Sequence, residues 1–568
     1  MKYKLINEDI KNKGLLEVIY ENRGITVEQA ERLLNANSSE YLNPFMIFNM
    51  EKVVAHFKKT YSKDLVIGLL PDDDVDGMTS SSLLYQWLIN DLKHPTENVK
   101  VFLHTKAKTH GLNTTIFNDM LNSNVDLFLI ADSSSNDKEK QKELAENGKS
   151  VIILDHHIVE DYEEIENVYL VNNQLGNLSN EHLSGVGVVA QFIKALGYPI
   201  DKYKDLIAIG LIADAMDMLD YQNRAYVNEG LDDLNNELVK EFFKGLKNPI
   251  IENVSYNCAN FMNSVIRYGT FEEKELLWRA ITCQEGTVEY KNKKGEIVQQ
   301  TLQEGFVRIS NNVKTRQNNA IKKAVKVVEE HIYKKGLDKD KCIIVVNDNK
   351  MVESGIGGIV CQRLSSSFKR PVMIVSPFND EVGGSMRSPF DLKEILNESG
   401  LMTFAMGHSR ACGVQLPKEN VEELRKYLNI KLIEYSVDEK IEEVDYIFKC
   451  KDLSLEQIKS IADLNKLWGT NCQEPTFIVK NITIESCKIE YKKVGICYCA
   501  QFTYNGICFR KRFCSRVVHE EITRRDLLKF GKSQSLDLTL LVKFKKENGF
   551  YYADIQDFNS VKSSKIVF

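Results

Sequence analysis

Short apolar runs alternate with stretches of helical periodicity in the first part of the chain. Five such runs lie between Leu65 and Leu231: "LVIGLL", "NVKVFL", "VDLFLIAD", "SVIILD" and "NVYLV". Runs of this length, apolar at successive positions, are typical of strands that a parallel sheet buries on both faces. Their alternation with helical stretches predicts a doubly wound α/β domain, with helices on both faces of the sheet.

The hydrophobic pattern changes further along the chain. A mainly helical region is interrupted by a predicted hairpin at "VEYKNKKGEIVQQ", strands return at "KCIIVVND" and "PVMIVSP", and alternating segments from Pro475 predict a small β-barrel. We therefore predict five parts: an N-terminal extension (1–62), the doubly wound α/β domain (63–231), a helical connector (232–335), a second α/β domain (336–428) and a C-terminal β-barrel (429–568).

Length and composition are consistent with this multidomain picture. A chain of 568 residues exceeds the size at which one hydrophobic core keeps growing. No apolar run reaches the roughly 18 to 20 residues of a membrane span. The start "MKYKLINEDIKNKGLLEV" carries acidic residues that a signal peptide lacks. We expect a soluble, cytoplasmic protein that does not bind membranes.

Cysteine usage and net charge narrow the function classes. The 12 cysteines, from Cys258 to Cys514, include no C-x-x-C pair, so reduced structural thiols are favoured over disulfides or zinc sites. The formal net charge of -6 lacks the basic excess of a typical nucleic-acid-binding domain. Any contact with a nucleic acid must therefore be local.

Four aspartates follow the run "LVIGLL" in the sequence "PDDDVDG". Carboxylates this close repel one another, so such a cluster is destabilising unless a cation lies among them. In an extended stretch Asp72, Asp74 and Asp76 would point to one side, at the end of a strand where open α/β sheets bind ligands. The following "MTSSSLLYQWLINDL" is predicted to be an amphipathic helix. Hard oxygen ligands indicate Mg²⁺ or Mn²⁺; a solvated acidic turn is the alternative.

Three more apolar segments end in acid or imidazole. The apolar part of "DLFLIADSSSND" is followed by Asp132, and that of "SVIILDHHIVED" by Asp155, His156 and His157. The apolar part of "LIAIGLIADAMDM" is followed by Asp214. Each alone is compatible with a helix cap or a surface histidine. If all are strands of one parallel sheet, their polar ends meet at the same rim.

The order and approximate spacing of "DDDVDG", the aspartate of "LIAD", "DHH" and the second "IAD" resemble the four motifs of the DHH phosphoesterases. Within that superfamily the chain resembles RecJ-type single-stranded-DNA exonucleases from about residue 25 to 560, through segments such as "YLNPFMIFNMEKVVAHF" and "LSGVGVVAQFIKAL". "ESGIGGIVCQRLSSSFKRPVMIVS", "GGSMRS" and "MGHSRACGV" are similar to the family's DHHA1 substrate-binding domain, and "LWGTNCQEPTFIVKNITI" to its OB-like C-terminal portion. The resemblance implies a DHH phosphoesterase domain at 63–231, a DHHA1 domain at 336–428 and an OB-like barrel at 429–568.

The resemblance also implies a set of site residues. Asp132 would bridge two divalent cations, Mn²⁺ or Mg²⁺, and serve as a catalytic residue, with His157 contacting a phosphoryl oxygen or acting as an acid. Asp155 would orient its neighbours, and Asp73 would face away. The predicted metal ligands are Asp72, Asp74, Asp76, Asp132, His156 and Asp214; the predicted substrate-binding residues are His157, Gly384, Ser385, Arg387, Ser388, Gly407 and His408.

Two of these segments have plainer alternatives in the residues alone. "GGSMRS" has the parts of a phosphate cradle but is also a Gly-rich turn. "FRKRFCSR" interleaves basic and aromatic residues, as a single-strand groove requires, yet an exposed edge strand looks the same. The family's "R-x-x-E-G-Y-G-L" stretch is reduced here to Gly111 and Leu112 of "TKAKTHGLN". The contacts that the family makes from that loop are therefore left open here.

The function implied is a metal-dependent exonuclease that releases mononucleotides from single-stranded DNA in repair, recombination or replication. The resemblance alone implies 5′ to 3′ polarity, and a helicase or single-strand-binding protein as a partner. A DHH-family oligoribonuclease or cyclic-dinucleotide phosphodiesterase is the enzymatic alternative. A non-catalytic replication scaffold on the same fold is the alternative from another class.

Overall fold

The computed structural model describes residues 1–10, 13–105, 110–176, 179–434, 441–485, 488–494, 497–514, 535–547 and 549–562. The chain forms two compact units. The larger comprises Tyr41–Met216 and Glu229–Val437, and the smaller comprises Met1–Glu40, Asp217–Asn228 and Asp438–Phe568. Among the helices that the structure describes, none combines the length and the apolar character needed to cross a membrane.

A five-stranded parallel sheet forms the centre of the first domain of the larger unit. Its strands lie in the order Val99–Val101, Ile67–Leu70, Leu127–Ala131, Ser150–Asp155 and Val168–Asn172. The second and third of these strands are buried at every position, as their continuous apolar sequences predict. The helices of this domain are Met50–Thr60, Val75–Asn90, Thr114–Leu121, Lys138–Glu146, Gly185–Ala195 and Lys204–Ala213. The predicted α/β fold class is confirmed.

The helix Val75–Asn90 differs from its prediction. It begins two residues before Gly77, and it is buried from Val75 to Leu88 instead of showing one polar face. The helices Gly185–Ala195 and Lys204–Ala213 pack against it. The hydroxyl groups of Thr79, Ser81 and Ser82 donate hydrogen bonds to carbonyl groups, such as that from Ser82 Oγ to the carbonyl of Ile281 at 3.1 Å. Serine and threonine in the sequence therefore do not mark a solvent-facing side here.

The segment "LIAIGLIAD" is also not the strand that we predicted. It forms the helix Lys204–Ala213, and Asp214 is the residue that ends it. A short continuous apolar run does not distinguish a buried strand from a buried helix by its periodicity. Asp214 nevertheless reaches the same edge of the sheet as the acids that follow strands.

The connector is helical, with the predicted hairpin confirmed at Thr287–Lys291 and Ile297–Thr301. The long helix Leu302–Lys335 has 34 residues, which corresponds to about 50 Å at 1.5 Å per residue. Ile321, Val328 and Ile332 on its second half pack into the core of the next domain. The other helices of the connector are Glu237–Phe242, Ile251–Val254, Asn260–Tyr268 and Phe271–Ile281; the preceding helix Tyr221–Asp232 belongs to the smaller unit up to Asn228.

The second α/β domain has a mixed five-stranded sheet. Its strands lie in the order Phe404–His408, Ala411–Pro417, Glu381–Arg387, Val372–Phe378 and Ile343–Val346, of which the last two are parallel and the other pairs antiparallel. The helix Gly357–Phe368 packs on one face, together with the long helix. The helix Val421–Lys431 packs on the other face, with Lys393–Glu398 beside it.

The smaller unit contains a mixed seven-stranded sheet. The alternating segments predicted from Pro475 onward are strands of this sheet. Its strand order is Tyr446–Lys449, Phe477–Glu485, Ser535–Glu547, Phe550–Lys562, Ile507–Cys514, Cys497–Tyr504 and Glu490–Val494. The strands Lys2–Leu5 and Ile441–Val444 form a separate parallel pair. The helices Leu15–Glu21, Val27–Leu34 and Leu455–Ala462 contribute to the same core as the large sheet. The five-part domain boundaries stay a prediction.

The strand Ile507–Cys514 carries most of "FRKRFCSR" and lies between two other strands. The alternative interpretation of this segment as an edge strand is therefore wrong. Phe509 is buried in the core of the sheet, while Arg510 and Arg512 alternate with it and reach Glu547. The last two residues of the segment lie outside the described residues.

Candidate active site

The acidic segment leaves the strand that ends at Leu70 and turns directly into a helix. Asp74 caps this helix, because its Oδ1 accepts a hydrogen bond from the N–H of Gly77 at 3.0 Å. A Cβ atom at Gly77 would lie 2.5 Å from Cβ of Asp72, so the turn requires glycine. The predicted extended geometry is therefore wrong: Asp72 and Asp74 precede the helix, whereas Asp76 lies in its first turn.

Three overlapping groups of potential ligand atoms lie at the carboxyl edge of the parallel sheet. Asp132 and His156 each belong to two groups, and the atoms within a group lie within 4.8 Å of one another. The six residues predicted as metal ligands are thus brought together, and their role as ligands stays a prediction. The groups are Asp72 with Asp74 and Asp132, Asp76 with His156 and Asp214, and Asp132 with Asp155, His156 and His157.

Asp132 occupies the centre of the cluster. It follows the strand that ends at Ala131, and its φ of +64° is uncommon for a residue other than glycine. Its Oδ1 is buried and lies 3.1 Å from Nε2 of His156 without forming a hydrogen bond. A buried carboxylate oxygen without a donor is costly unless a cation or another partner compensates it. This orphaned oxygen fits the predicted role of Asp132 as a metal ligand.

Asp76 and Asp214 differ in what their oxygens already contact. Asp76 accepts hydrogen bonds from the N–H groups of Gly185 at 2.6 Å and Val186 at 3.3 Å, at the start of a helix, where the dipole favours negative charge. Ser184 Oγ donates to Asp76 as well, at 3.0 Å. Asp214 has only His156 within ion-pair distance among the described residues, with Nε2 3.5 Å from Oδ2. Asp214 is therefore freer than Asp76 to bind a cation.

The electrostatics of the cluster also fit a cation. Burial, followed by repulsion from Asp76 and Asp74, raises the pKa of Asp132 well above its usual range. Burial and the same two acids raise the pKa of Asp214 to about 8, and burial with Asp74 raises the pKa of Asp76 to about 6. A divalent cation among these oxygens would cancel the repulsion and replace the lost hydration.

Asp155 has a different environment. It is buried and accepts hydrogen bonds from the N–H groups of Ser135 and His156, and from His157 Nδ1 at 2.8 Å. Although burial opposes its ionised form, His157 and Ser135 hold the pKa of Asp155 well below its usual range. Burial lowers the pKa of His157, but the contact with Asp155 outweighs burial and raises this pKa to about 9. Asp155 thus orients His157, whose side chain is about half exposed.

Histidines of the loop that follows the strand Val99–Val101 contact the cluster, where the sequence left contacts open. His110 Nδ1 lies 2.8 Å from Asp72 Oδ2, and the N–H of Gly111 donates to Asp72 Oδ1 at 2.9 Å. Nε2 of the buried His104 lies 3.9 Å from the same Oδ1. Residues 106–109 of this loop lie outside the described residues. The only signal in the sequence was the short match at Gly111 and Leu112.

Lys274 of the connector contacts this site, and the charge of Arg267 acts on it; sequence reasoning missed both. Lys274 Nζ forms a buried ion pair with Asp73 at 2.6 Å and donates to the carbonyl of His104 at 3.3 Å. Burial and Asp72 raise the pKa of Asp74, and the charge of Arg267 opposes that rise. Nothing in the sequence indicated that these helices pack against the acidic segment.

The residues predicted to bind substrate in the second α/β domain form a separate group. Gly384, Ser385 and Arg387 lie on one strand, followed by Ser388, and Gly407 and His408 lie on another. Arg387 and His408 both pair with Ala411 of the strand between them and therefore share a face. Arg387 donates to the carbonyl of Met386 at 2.7 Å.

Comparison with known proteins identifies the family. Residues 66–211 match the model of the DHH family, N-terminal domain. The chain is 30% identical to the SPbeta prophage-derived single-strand DNA-specific exonuclease YorK of Bacillus subtilis (strain 168) over 514 residues, covering 86% of this chain and 87% of the relative. The chain belongs to the RecJ-type family of single-strand DNA-specific exonucleases. RecJ of Bacillus subtilis (strain 168) is 27% identical over 522 residues, 87% of this chain and 62% of that protein.

The RecJ-type fold is also seen in solved structures. RecJ of Thermus thermophilus, crystallised in complex with Mn²⁺, matches with a TM-score of 0.67 and 19% identity, over 96% of this chain and 76% of that one. A likeness of this kind extends over both α/β domains and the C-terminal sheet. The predicted membership of the DHH superfamily, within the RecJ-type group, is thus confirmed.

Proposed function

We propose that this RecJ-type protein is a metal-dependent exonuclease that hydrolyses phosphodiester bonds of single-stranded DNA and releases mononucleotides. The observation that carries the proposal is the convergence of Asp72, Asp74, Asp132, His156 and Asp214 at one edge of the sheet, with the orphaned oxygen of Asp132 at their centre. The names of relatives that match along most of the chain support the substrate class.

We propose that two divalent cations, Mn²⁺ or Mg²⁺, bind to these side chains. Asp132 belongs to two of the three ligand groups and would be shared between the cations, while His156 would serve one of them. The imidazole in an otherwise oxygen-rich set suits Mn²⁺ at least as well as Mg²⁺. When bound, two such cations activate a water molecule and neutralise the oxygens of the phosphodiester. Asp76 would contribute less directly, because three donors of the chain already occupy its oxygens.

The chain's own residues would perform the remaining tasks. His157 is held by Asp155 and half exposed beside His156, so it is suited to donate a hydrogen bond to a phosphoryl oxygen. Arg267 is exposed and its charge favours the ionised form of Asp74, which suits it to neutralise a phosphate that approaches the acids.

We propose that the second α/β domain binds the single-stranded DNA. Arg387 has no ion pair with any described acid, so its guanidinium has donors to spare for a phosphate. His408 lies in the same row of the sheet, and the backbone at Gly384, Ser385, Ser388 and Gly407 completes the predicted contact surface.

In the C-terminal sheet, Arg510 lies over the rings of Phe550 and Tyr552, at 5.9 and 4.5 Å from their centres. Such alternation of guanidinium and aromatic groups suits a surface that binds single-stranded DNA.

We further propose 5′ to 3′ polarity and a role in DNA repair, recombination or replication. A helicase or single-strand-binding protein would be the partner, and the cytoplasm the setting. The oligoribonuclease and cyclic-dinucleotide phosphodiesterase alternatives are disfavoured by the long match to exonucleases. The scaffold alternative is disfavoured because all six predicted metal ligands are retained and lie together.

The proposal is tested with 5′- and 3′-labelled DNA and RNA strands incubated with Mn²⁺, Mg²⁺ or a chelator. We expect cation-dependent digestion of single-stranded DNA, with the 5′ label released first as a mononucleotide. Faster hydrolysis of short RNA or of cyclic dinucleotides would favour the enzymatic alternative. A protein that binds Mn²⁺ and DNA but cleaves none of these substrates would be a scaffold.

A further inference from the structure

Among the described residues, the donors to Asp72 come from one segment. This segment, His104–Asn113, follows the strand Val99–Val101, and residues 104, 105 and 110–113 of it are described. The N–H of Gly111 donates to Oδ1 of Asp72 at 2.9 Å, and Nδ1 of His110 lies 2.8 Å from Oδ2. Because an ionised carboxylate only accepts hydrogen bonds, Nδ1 of His110 carries a proton. Each oxygen of Asp72 therefore has one donor from this segment.

The backbone of the segment is shaped for this contact. Gly111 has a φ of +54°, and a Cβ atom there would lie 2.6 Å from Oδ2 of Asp137. The same Asp137 oxygen accepts a hydrogen bond from the N–H of Leu112 at 2.9 Å. Glycine is therefore required for the N–H of residue 111 to reach Asp72.

His104 approaches Asp72 from inside the protein with a defined tautomer. Asn113 caps the helix Thr114–Leu121, since its Oδ1 accepts from the N–H groups of Thr115 and Ile116. Its Nδ2 must therefore face His104 Nδ1, at 2.7 Å. His104 Nδ1 accepts this bond, so Nε2 carries the proton and is directed at Asp72 Oδ1 from 3.9 Å. The distance is too long for a hydrogen bond but favours the carboxylate charge.

These contacts leave one lone pair on each Asp72 oxygen for a cation. Both oxygens are held, and Asp72 offers an oxygen within 4.8 Å of ligand atoms of Asp74 and Asp132. We infer that His110 is a positioning residue of the metal centre: its Nδ1 contact fixes Asp72 in the orientation that faces Asp74 and Asp132. This inference rests on the proposed function, because it takes Asp72 as a cation ligand.

The contact depends on the residue type at position 110. The family stretch that the loop resembles ends in Y-G-L where this chain has His110, Gly111 and Leu112. Nδ1 of an imidazole is bonded directly to Cγ, whereas the hydroxyl of tyrosine is at the far end of its ring. A tyrosine on the same backbone would therefore not place a donor beside Asp72 in this way.

The test compares H110A and H110N with the unmodified protein and with H331A, which alters a histidine on the long helix outside the site. Mn²⁺ binding is measured by titration, following the electron paramagnetic resonance signal of the free ion, and thermal unfolding is recorded for each protein. Residues that orient a metal ligand typically contribute ten- to a hundredfold to metal affinity. We expect H110A to raise the Kd of a Mn²⁺ ion by about tenfold or more. H110N should recover part of the loss, because its amide N–H is placed near the position of Nδ1.

A double-mutant cycle with D72N decides whether His110 acts through Asp72. In the D72N background H110A should cause no further loss of Mn²⁺ affinity, since the carboxylate that it positions is gone. Unchanged Mn²⁺ binding in H110A, no recovery in H110N, or additive losses in the double variant would each overturn the inference. If the unmodified protein did not bind Mn²⁺, both the inference and the proposed function would be overturned. If it bound Mn²⁺ but did not cleave DNA, only the proposed function would be overturned.

Discussion

The buried ion pair between Lys274 and Asp73 should be essential for the stability of the catalytic domain. The two side chains are 3% and 2% exposed, and their charged atoms lie 2.6 Å apart. Replacing Lys274 by methionine preserves most of the side-chain volume but leaves the carboxylate of Asp73 buried without its cation. Breaking a buried pair in this way typically costs about 3 to 5 kcal/mol. We expect a loss of this size in the free energy of unfolding of K274M.

The double variant D73N/K274M is the matched comparison. It removes both charges, so it should be less destabilised than K274M alone, and the difference measures the penalty of burying the Asp73 carboxylate without Lys274. Urea denaturation followed by circular dichroism gives the free energies, with K323M on the exposed side of the long helix as control. A loss below about 1 kcal/mol in K274M, or a double variant that is no better, would refute the reasoning.

Three further predictions concern activity. D132A should abolish hydrolysis and, without added cation, leave the thermal midpoint unchanged or higher, because removing this carboxylate relieves repulsion; near-normal cleavage would contradict the two-cation site. R387A should lower kcat/KM about ten- to a hundredfold, the loss of a charge-assisted contact worth about 1.5 to 3 kcal/mol, with Mn²⁺ binding unaltered and partial recovery in R387K; normal kinetics or a changed Mn²⁺ affinity would remove Arg387 from the site. F550A, at a half-exposed ring in the C-terminal sheet, should weaken binding of long single strands by about 1 to 3 kcal/mol and spare cleavage of dinucleotides; equal losses on both substrates would count against a surface that binds single-stranded DNA there.

A point substitution is preferable to deletion of the C-terminal part. The core of the large sheet includes Ile19 and Leu33 from the N-terminal helices. Removing residues from about 475 onward would expose these side chains as well as remove the strands. A truncated protein would therefore report loss of folding together with loss of DNA contacts.

The strands of the first sheet could be predicted because their signal is local. A run that is buried on both faces must be apolar at successive positions, and an acid that directly follows such a run lies at the sheet edge by geometry. Asp132 and Asp155 are of this kind. Asp214 arrives at the same edge from a helix, and its apolar run is equally continuous because that helix is also buried on all sides. The resemblance to a known family identified Asp214 where the pattern alone gave the wrong element.

The partners of the acids could not be predicted in the same way. Lys274 is separated from Asp73 by 201 positions along the chain, and only the packing of the connector helix brings them together. The contact of His110 with Asp72 depends on the backbone of a loop with a positive φ at Gly111. Neither contact leaves a periodic or compositional signal in the sequence, because a single polar residue on a helix or loop is compatible with many surroundings.

The distribution of donors explains why the cluster is suited to hold cations. Asp155 and Asp76 receive several N–H or hydroxyl donors each, and Asp72 receives two, so the protein itself compensates part of their charge. Among the described residues, Asp132 receives no N–H hydrogen bond although it lies at the centre and is buried. The charge that the chain leaves uncompensated is therefore concentrated on the carboxylate that belongs to two ligand groups. A cation is stabilised most beside the carboxylate that receives the fewest hydrogen bonds from the protein. For this reason we assign the position shared between the cations to Asp132, and the role of orienting His157 to Asp155.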